Sequence, residues 1–338
     1  LAPKSRPDVL IGLEAADDAA VVRVPPGKAL VHTVDFFRAF IDDPYVFGQV
    51  AANHSLGDIY AMGAQPSTAL AIAAVPYGPE AKVEDALFQM MAGALKVLDE
   101  AGVALVGGHS SEAAELGLGF AVNGLANETA LLRKGGLVPG QALILTKPIG
   151  TGTLFAAAMR GKAKGPWLDA ALAHMRQSAR EAAGVLIRHG ATACTDVTGF
   201  GLLGHLVEMV KASEVGVEID VAAVPLLDGA LACVDAGIFS SLQPQNLRLR
   251  RAIHDAEAAA RDPRFALLFD PQTAGGLLAG VPREAAGACV AELRRLGYAR
   301  AAEIGGVVSA NGELEPIRLS FGEVRLEPSA RQALRVPA

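Results

Sequence analysis

A two-domain α/β chain is what the sequence predicts, and three observations predict it. The 338 residues exceed the usual size of one domain. Strand-length apolar runs alternate with helix-spaced ones through the first half. A turn-rich break from Asn127 to Gly140, carrying Gly135-Gly136, is followed by a fresh start of the same alternation. Only 5% of the residues are aromatic, which favours small-residue helices packed on sheets over an aromatic-rich sandwich. The expected domains are 1–130 and 138–326, with 327–338 as a tail of no strong pattern.

The elements follow in order. Ala29 to Thr33 reads as a strand ending at Asp35. Asp43-Pro44 supplies an N-cap with proline at the first helical position, so a helix runs from Pro44 to about Met62 and Gly63 closes it. Ala69 to Val75 is a second strand. Pro79 opens a second helix, with Val83, Leu87, Met90, Ala94 and Leu98 at helical spacing and Gly102 as its stop. Val103 to Val106 is a strand running into a Gly107-Gly108-His109 turn, and Leu118 to Asn123 returns as another. The second half opens on the strand Ala142 to Thr146. A single long helix is expected from about Leu168 to His189, then the Asp196 region and a helix over Leu202 to Val210.

Charge and cysteine content narrow the function classes. A net charge of −6 without a basic patch argues against nucleic acid as the main partner. The acidity suits a binder of hard cations, and solubility accounts for it equally. Cys194, Cys233 and Cys289 are odd in number and far apart, so they read as buried small residues in a reducing, cytoplasmic setting. The uncharged stretch from Ile59 to Pro79 is broken by Gly63, Gln65, Pro66 and Pro76, so no membrane span is expected.

Four acidic segments stand out. Asp17-Asp18 is a carboxylate pair before a strand, and Asp35, Asp58 and Asp196 each sit in apolar surroundings. A lone buried carboxylate is costly unless a cation or donors satisfy it. Such acids are reconciled if they converge on Mg²⁺ or a similarly hard ion, which leads on to nucleotide phosphates. Helix caps and turns remain the competing account of each acid. His54 lies one turn before Asp58, and His205 is expected to pack inside its own helix face. The amides after Gly107-Gly108 could cradle phosphate. There is no Walker A motif and no GxGxxG.

Taken together, the stretches DDAAV at Asp17, TVDFF at Thr33, DIYAMGAQP at Asp58, GGHS at Gly107, TKPIGTG at Thr146, TDVTGFGLLGHL at Thr195 and DPQTAGGLL at Asp270 resemble the selenophosphate synthetase (selenide, water dikinase) family, in the same order. That resemblance implies a two-domain aminoimidazole-ribonucleotide-synthetase-like fold, dimeric through the sheets of its N-terminal domains. It implies ATP, selenide and water converted to selenophosphate, orthophosphate and AMP. Asp18, Asp58 and Asp196 would hold Mg²⁺, Asp17 and Asp35 would contact the nucleotide, and Gly108, His109 and Ser110 would form a turn reaching ATP across the dimer. Lys147 falls in a family motif and is read as structural.

The chain also departs from the family pattern. Nothing before Asp17 matches the family's Gly-rich loop with its Cys or selenocysteine and nearby Lys. The expectation is therefore a fragment that binds nucleotide but is catalytically defective. His54 stands where many members have asparagine, Ser111-Glu112 replaces an Ile/Val-Asp pair, and SSLQPQN at Ser240 replaces a GGT-type turn. These variants resemble the branch fused behind a flavin-dependent oxidoreductase domain. The alternatives are another ATP-dependent member of the superfamily, or a non-catalytic nucleotide-binding or selenium-carrier module.

Overall fold

The computed structural model describes residues 6–11, 21–310, 312 and 315–322. The expected tail at 327–338 lies outside them. A short antiparallel pair, β1 (Val9–Ile11) and β2 (Val21–Val22), precedes a four-stranded sheet. That sheet is built from β3 (Lys28–Arg38), β4 (Gln65–Pro76), β5 (Ala104–Ala113) and β6 (Gly117–Asn127), in the order β3-β6-β4-β5. Helices α1 (Pro44–Ala61) and α2 (Glu80–Ala101) connect its strands and pack against each other.

The caps of these helices are where the residue types place them. Asp43 accepts from the Val46 amide at the start of α1, and Gly102 takes a left-handed φ of 72° after α2. Helix α1 is buried nearly all round, with Phe47, Leu56 and Ile59 fully enclosed. Each of those side chains contributes about 1.5–3 kcal/mol by leaving water. The two helices come within backbone contact: a Cβ at Gly48 would meet the Met90 carbonyl oxygen, and one at Gly93 the Tyr45 oxygen, each at 1.9 Å.

The second half forms a six-stranded sheet. Its members are β7 (Ala142–Leu145), β8 (Ala193–Asp196), β9 (Gly216–Asp220), β10 (Leu277–Val281), β11 (Ala302–Val308) and β12 (Ile317–Ser320), in the order β12-β9-β11-β7-β10-β8. Around it lie α3 (Thr151–Met159), α4 (Gly165–Arg176), α5 (Arg180–Arg188) and α6 (Gly201–Ser213). The short helices α7 (Ala230–Asp235), α8 (Gln243–Asn246), α9 (Ala256–Ala259) and α10 (Arg264–Leu267) follow, then α11 (Arg283–Arg295). Edge strand β8 packs beside α1, so the last residue of β8, Asp196, faces the first domain.

Two expectations are corrected. The single helix over 168–189 is broken between Arg176 and Arg180. There Gln177 O accepts from Lys147 and Asn53, and Ser178 O accepts from the Tyr298 hydroxyl, so tertiary partners take carbonyls that a continuous helix would need. The Gly107-Gly108-His109 segment is not a turn. Strand β5 continues to Ala113, and its register against β4 steps from Ala69↔Leu105 to Leu70↔Gly107. The step leaves Val106 as an extra, bulged residue, and the glycines that follow it are paired within the strand. Cys194, Cys233 and Cys289 are buried and free.

Candidate functional site

Alternation along β3 sorts its side chains by face. Thr33, Asp35 and Phe37 are partly covered, while Leu30, Val34 and Phe36 are exposed. Beside the covered face, α1 presents His54 and Asp58 one turn apart. The Thr33 hydroxyl donates to Asp58 Oδ2, and His54 Nε2 stands 3.8 Å from Asp35 Oδ2. The His54 ring leans on Phe37 with centroids 5.0 Å apart. Asp196 closes the group from the other domain. Its Oδ2 lies 2.9 Å from where a Cβ would stand on Gly57, one residue before Asp58, so the two carboxyls are close neighbours.

Burial and like charge dominate the electrostatics. Asp196 is pushed up to about 8, first by burial, then by the charges of Asp58 and Asp35 and by its hydrogen bond with Asp58. Asp35 is raised, again first by burial, with His54 opposing and Asp58 adding. Burial lowers His54, outweighing the pull of Asp35 and Asp58. Neutral His54 accepts at Nδ1 from the Ala274 amide at 3.0 Å, which leaves the ring proton on Nε2, toward Asp35. Lys147 is brought down to about 7 by burial, against the favourable charge of Asp196.

A divalent cation fits this donor set in chemistry. Two facing carboxyls from different domains gather negative charge in a covered place, and both offer only oxygen. Among the described residues no group of three or more His, Cys, Asp or Glu is arranged to hold a metal. Asp58 and Asp196 are therefore what this part of the chain supplies.

The sequence candidates divide accordingly. Asp35, Asp58 and Asp196 come together, whereas Asp17 and Asp18 lie outside the described residues. Gly108, His109 and Ser110 stand on β5, three strand positions from β3, roughly 14 Å at ordinary spacing. His109 pairs with Ile72, whose side chain is on the exposed face of the sheet. These three residues are thus not part of the acidic cluster of their own chain.

Other residues hold the loops behind the cluster. His205 is buried as expected, and its Nε2 also accepts from the Thr198 amide at 3.1 Å, two residues past Asp196. Asn246, at the end of SSLQPQN, donates to Gly199 O and Phe269 O. Asp270 is fully buried, accepts from Thr153 and Gln272, and is lifted by burial to about 6. The motif around Asp270 was visible in sequence, but nothing in spacing told that its carboxyl anchors a loop.

Two family models match in succession: AIR synthase related protein, N-terminal domain, over residues 16–126, and its C-terminal domain over residues 138–315. The chain is 44% identical to a selenide, water dikinase of Pelobacter propionicus, over 89% of this chain and 86% of that protein. It is 38% identical to a selenide, water dikinase of Clostridioides difficile over the same shares. Another, from Geobacter metallireducens, is 42% identical over 80% of this chain and 78% of its own length. Among solved structures, thiamine-monophosphate kinase from Stenotrophomonas maltophilia K279a superposes with a TM-score of 0.70 at 19% identity, covering 93% and 92% of the two chains. Hydrogenase maturation protein HypE in complex with ATP gives 0.68 at 18%, covering 94% and 87%. At those identities the likeness is one of fold, and it is the two-domain fold expected from the sequence.

Proposed function

The chain belongs to the selenide, water dikinase family, and from that membership we propose that it phosphorylates selenide with ATP, releasing AMP and orthophosphate. The observation that carries the reading is the meeting of Asp35 and Asp58 from the first domain with Asp196 from the second. Asp58 and Asp196, with Asp18, would hold Mg²⁺. When bound, the cation would offset the charge of a triphosphate. Asp35, oriented by His54, would meet the nucleotide, together with Asp17.

The other residues act by position. Thr33 donates to one oxygen of Asp58 and so fixes which way that carboxylate turns. Phe37 packs on the His54 ring and so holds it beside Asp35.

We also propose that two copies pair through the exposed face of the four-stranded sheet. Val34, Ala121 and Leu70 align across three strands, and Phe36, Gly119 and Ile72 form the next row. Val34 is 60% and Phe36 47% exposed in the single chain, an apolar patch that another copy would cover. His109 lies at the edge of this face, which fits a role toward the partner's nucleotide. Among the described residues no helix is long and apolar enough to cross a membrane.

The test is product analysis with selenide present and absent, on full-length protein that carries the family's N-terminal loop. Selenide-dependent formation of AMP supports the proposal. AMP formed regardless of selenide, or ADP formed with a thiamine-phosphate or aminoimidazole-type substrate, would move the chain to another reaction of the same fold.

A further inference from the structure

One hydrogen-bonded ring crosses the domain boundary behind the acidic cluster. Asn53 Nδ2, on α1, donates to Gln177 O at 3.0 Å, and Lys147 Nζ donates to the same oxygen at 2.6 Å. Lys147 Nζ also donates to Ala274 O at 3.1 Å. The Ala274 amide donates to His54, the neighbour of Asn53, which closes the circuit. Ala274 is thereby held at both its N–H and its C=O, in a left-handed conformation with φ of 50° that a non-glycine residue rarely adopts.

Lys147 is only 2% exposed, and burying its polar amine is costly beside an apolar side chain of similar length. Stability alone is a poor account of its presence. Its position is more informative. It joins the loop after α4, the loop before β10 and, through them, two consecutive residues of α1. Asp58 lies one turn from His54 on that helix, and Asp196 pairs with Leu277, three residues past Ala274. The ring therefore fixes how far along α1, and at what rotation, the first domain's carboxylate faces the second's.

We propose that Lys147 is a positioning residue that sets the Asp58–Asp196 separation through this ring. The role rests on the reading that those two carboxylates hold a cation-bound triphosphate. It deepens that reading by naming what fixes their geometry across the domain boundary.

The experiment uses the full chain and its Lys147→Met variant. Binding of a non-hydrolysable ATP analogue is measured by calorimetry with and without Mg²⁺, alongside residue-resolved amide exchange. The expected result is about a tenfold loss of Mg²⁺-dependent affinity. Exchange at Ala274 should become about tenfold faster, with the Leu143 and Ile144 amides of β7 unchanged. Should Lys147→Met not fold, Asn53→Ser removes one link and leaves the lysine, and the same two readouts apply. Unchanged affinity overturns the role, as does an affinity loss matched by uniformly faster exchange, which marks general destabilisation. Absence of binding by the unaltered chain removes the functional premise itself and is told apart by that control.

Discussion

Gly57 and Asp196 touch where no side chain fits between them: a Cβ on Gly57 would stand 2.9 Å from Asp196 Oδ2. Gly57→Ala should therefore divide stability from function. Alanine favours a helix interior by about 1 kcal/mol, which offsets the crowding at the carboxylate. We expect a melting temperature near that of the unaltered chain and at least a tenfold drop in Mg²⁺-dependent nucleotide affinity. Affinity that survives intact would mean Asp196 has room to move and is not held for a ligand.

Asp196→Asn removes one of two facing carboxyls. The folded pKa of Asp196 is raised from the ordinary 3.8 to about 8, so the folded state holds the proton more tightly than the unfolded chain. That contribution is complete below about pH 4 and is lost as pH rises through 8. Without metal, this group should make stability of the unaltered protein fall between about pH 4 and 8 and level off above that, and Asp196→Asn should flatten the fall. The same variant should lose Mg²⁺-dependent analogue binding. Calorimetry and thermal melts across pH check both halves.

His205 carries the opposite sign. Burial lowers it from 6.5 to about 4, with Glu208 opposing, and its neutral Nε2 accepts from the Thr198 amide. The unfolded chain takes up the proton first, so stability is present above pH 6.5 and is lost as pH falls toward 4. The size is about 3 kcal/mol, from the drop from 6.5 to about 4 at about 1.36 kcal/mol per unit of pH. Urea titrations between pH 4 and 7 should show this slope as the difference between the unaltered chain and His205→Gln, since Asp196 slopes the other way over the same range. Superimposable pH profiles for the two proteins would show that His205 contributes nothing to the acid sensitivity.

Phe36→Glu places a charge in the outward apolar row beside Gly119 and Ile72. The exposed position tolerates glutamate within the single chain, so the fold should persist. Sedimentation should shift from dimer to monomer at micromolar concentration. A variant that sediments as the unaltered chain does would place any self-association elsewhere.

Much of this was legible in sequence because local chemistry decides it. Asp43-Pro44 and Gly102 fix helix ends through caps and left-handed φ, whatever lies around them. Asp35, Asp58 and Asp196 were legible as acids in apolar runs. The Gly107-Gly108 stretch was misread as a turn because glycine permits both, and only pairing with β4 selects the strand. The break at Gln177 was invisible because its cause, Lys147 and Asn53 reaching for one carbonyl, is tertiary. Helical spacing also said nothing of Thr33, whose hydroxyl matters only once β3 lies under α1.

The bare face of the four-stranded sheet also bears on how long the protein lasts. If pairing covers Val34 and Phe36, heat resistance becomes a function of dose, with the unfolding midpoint climbing as protomers are added. A cell making little of this chain would hold it in its most fragile form.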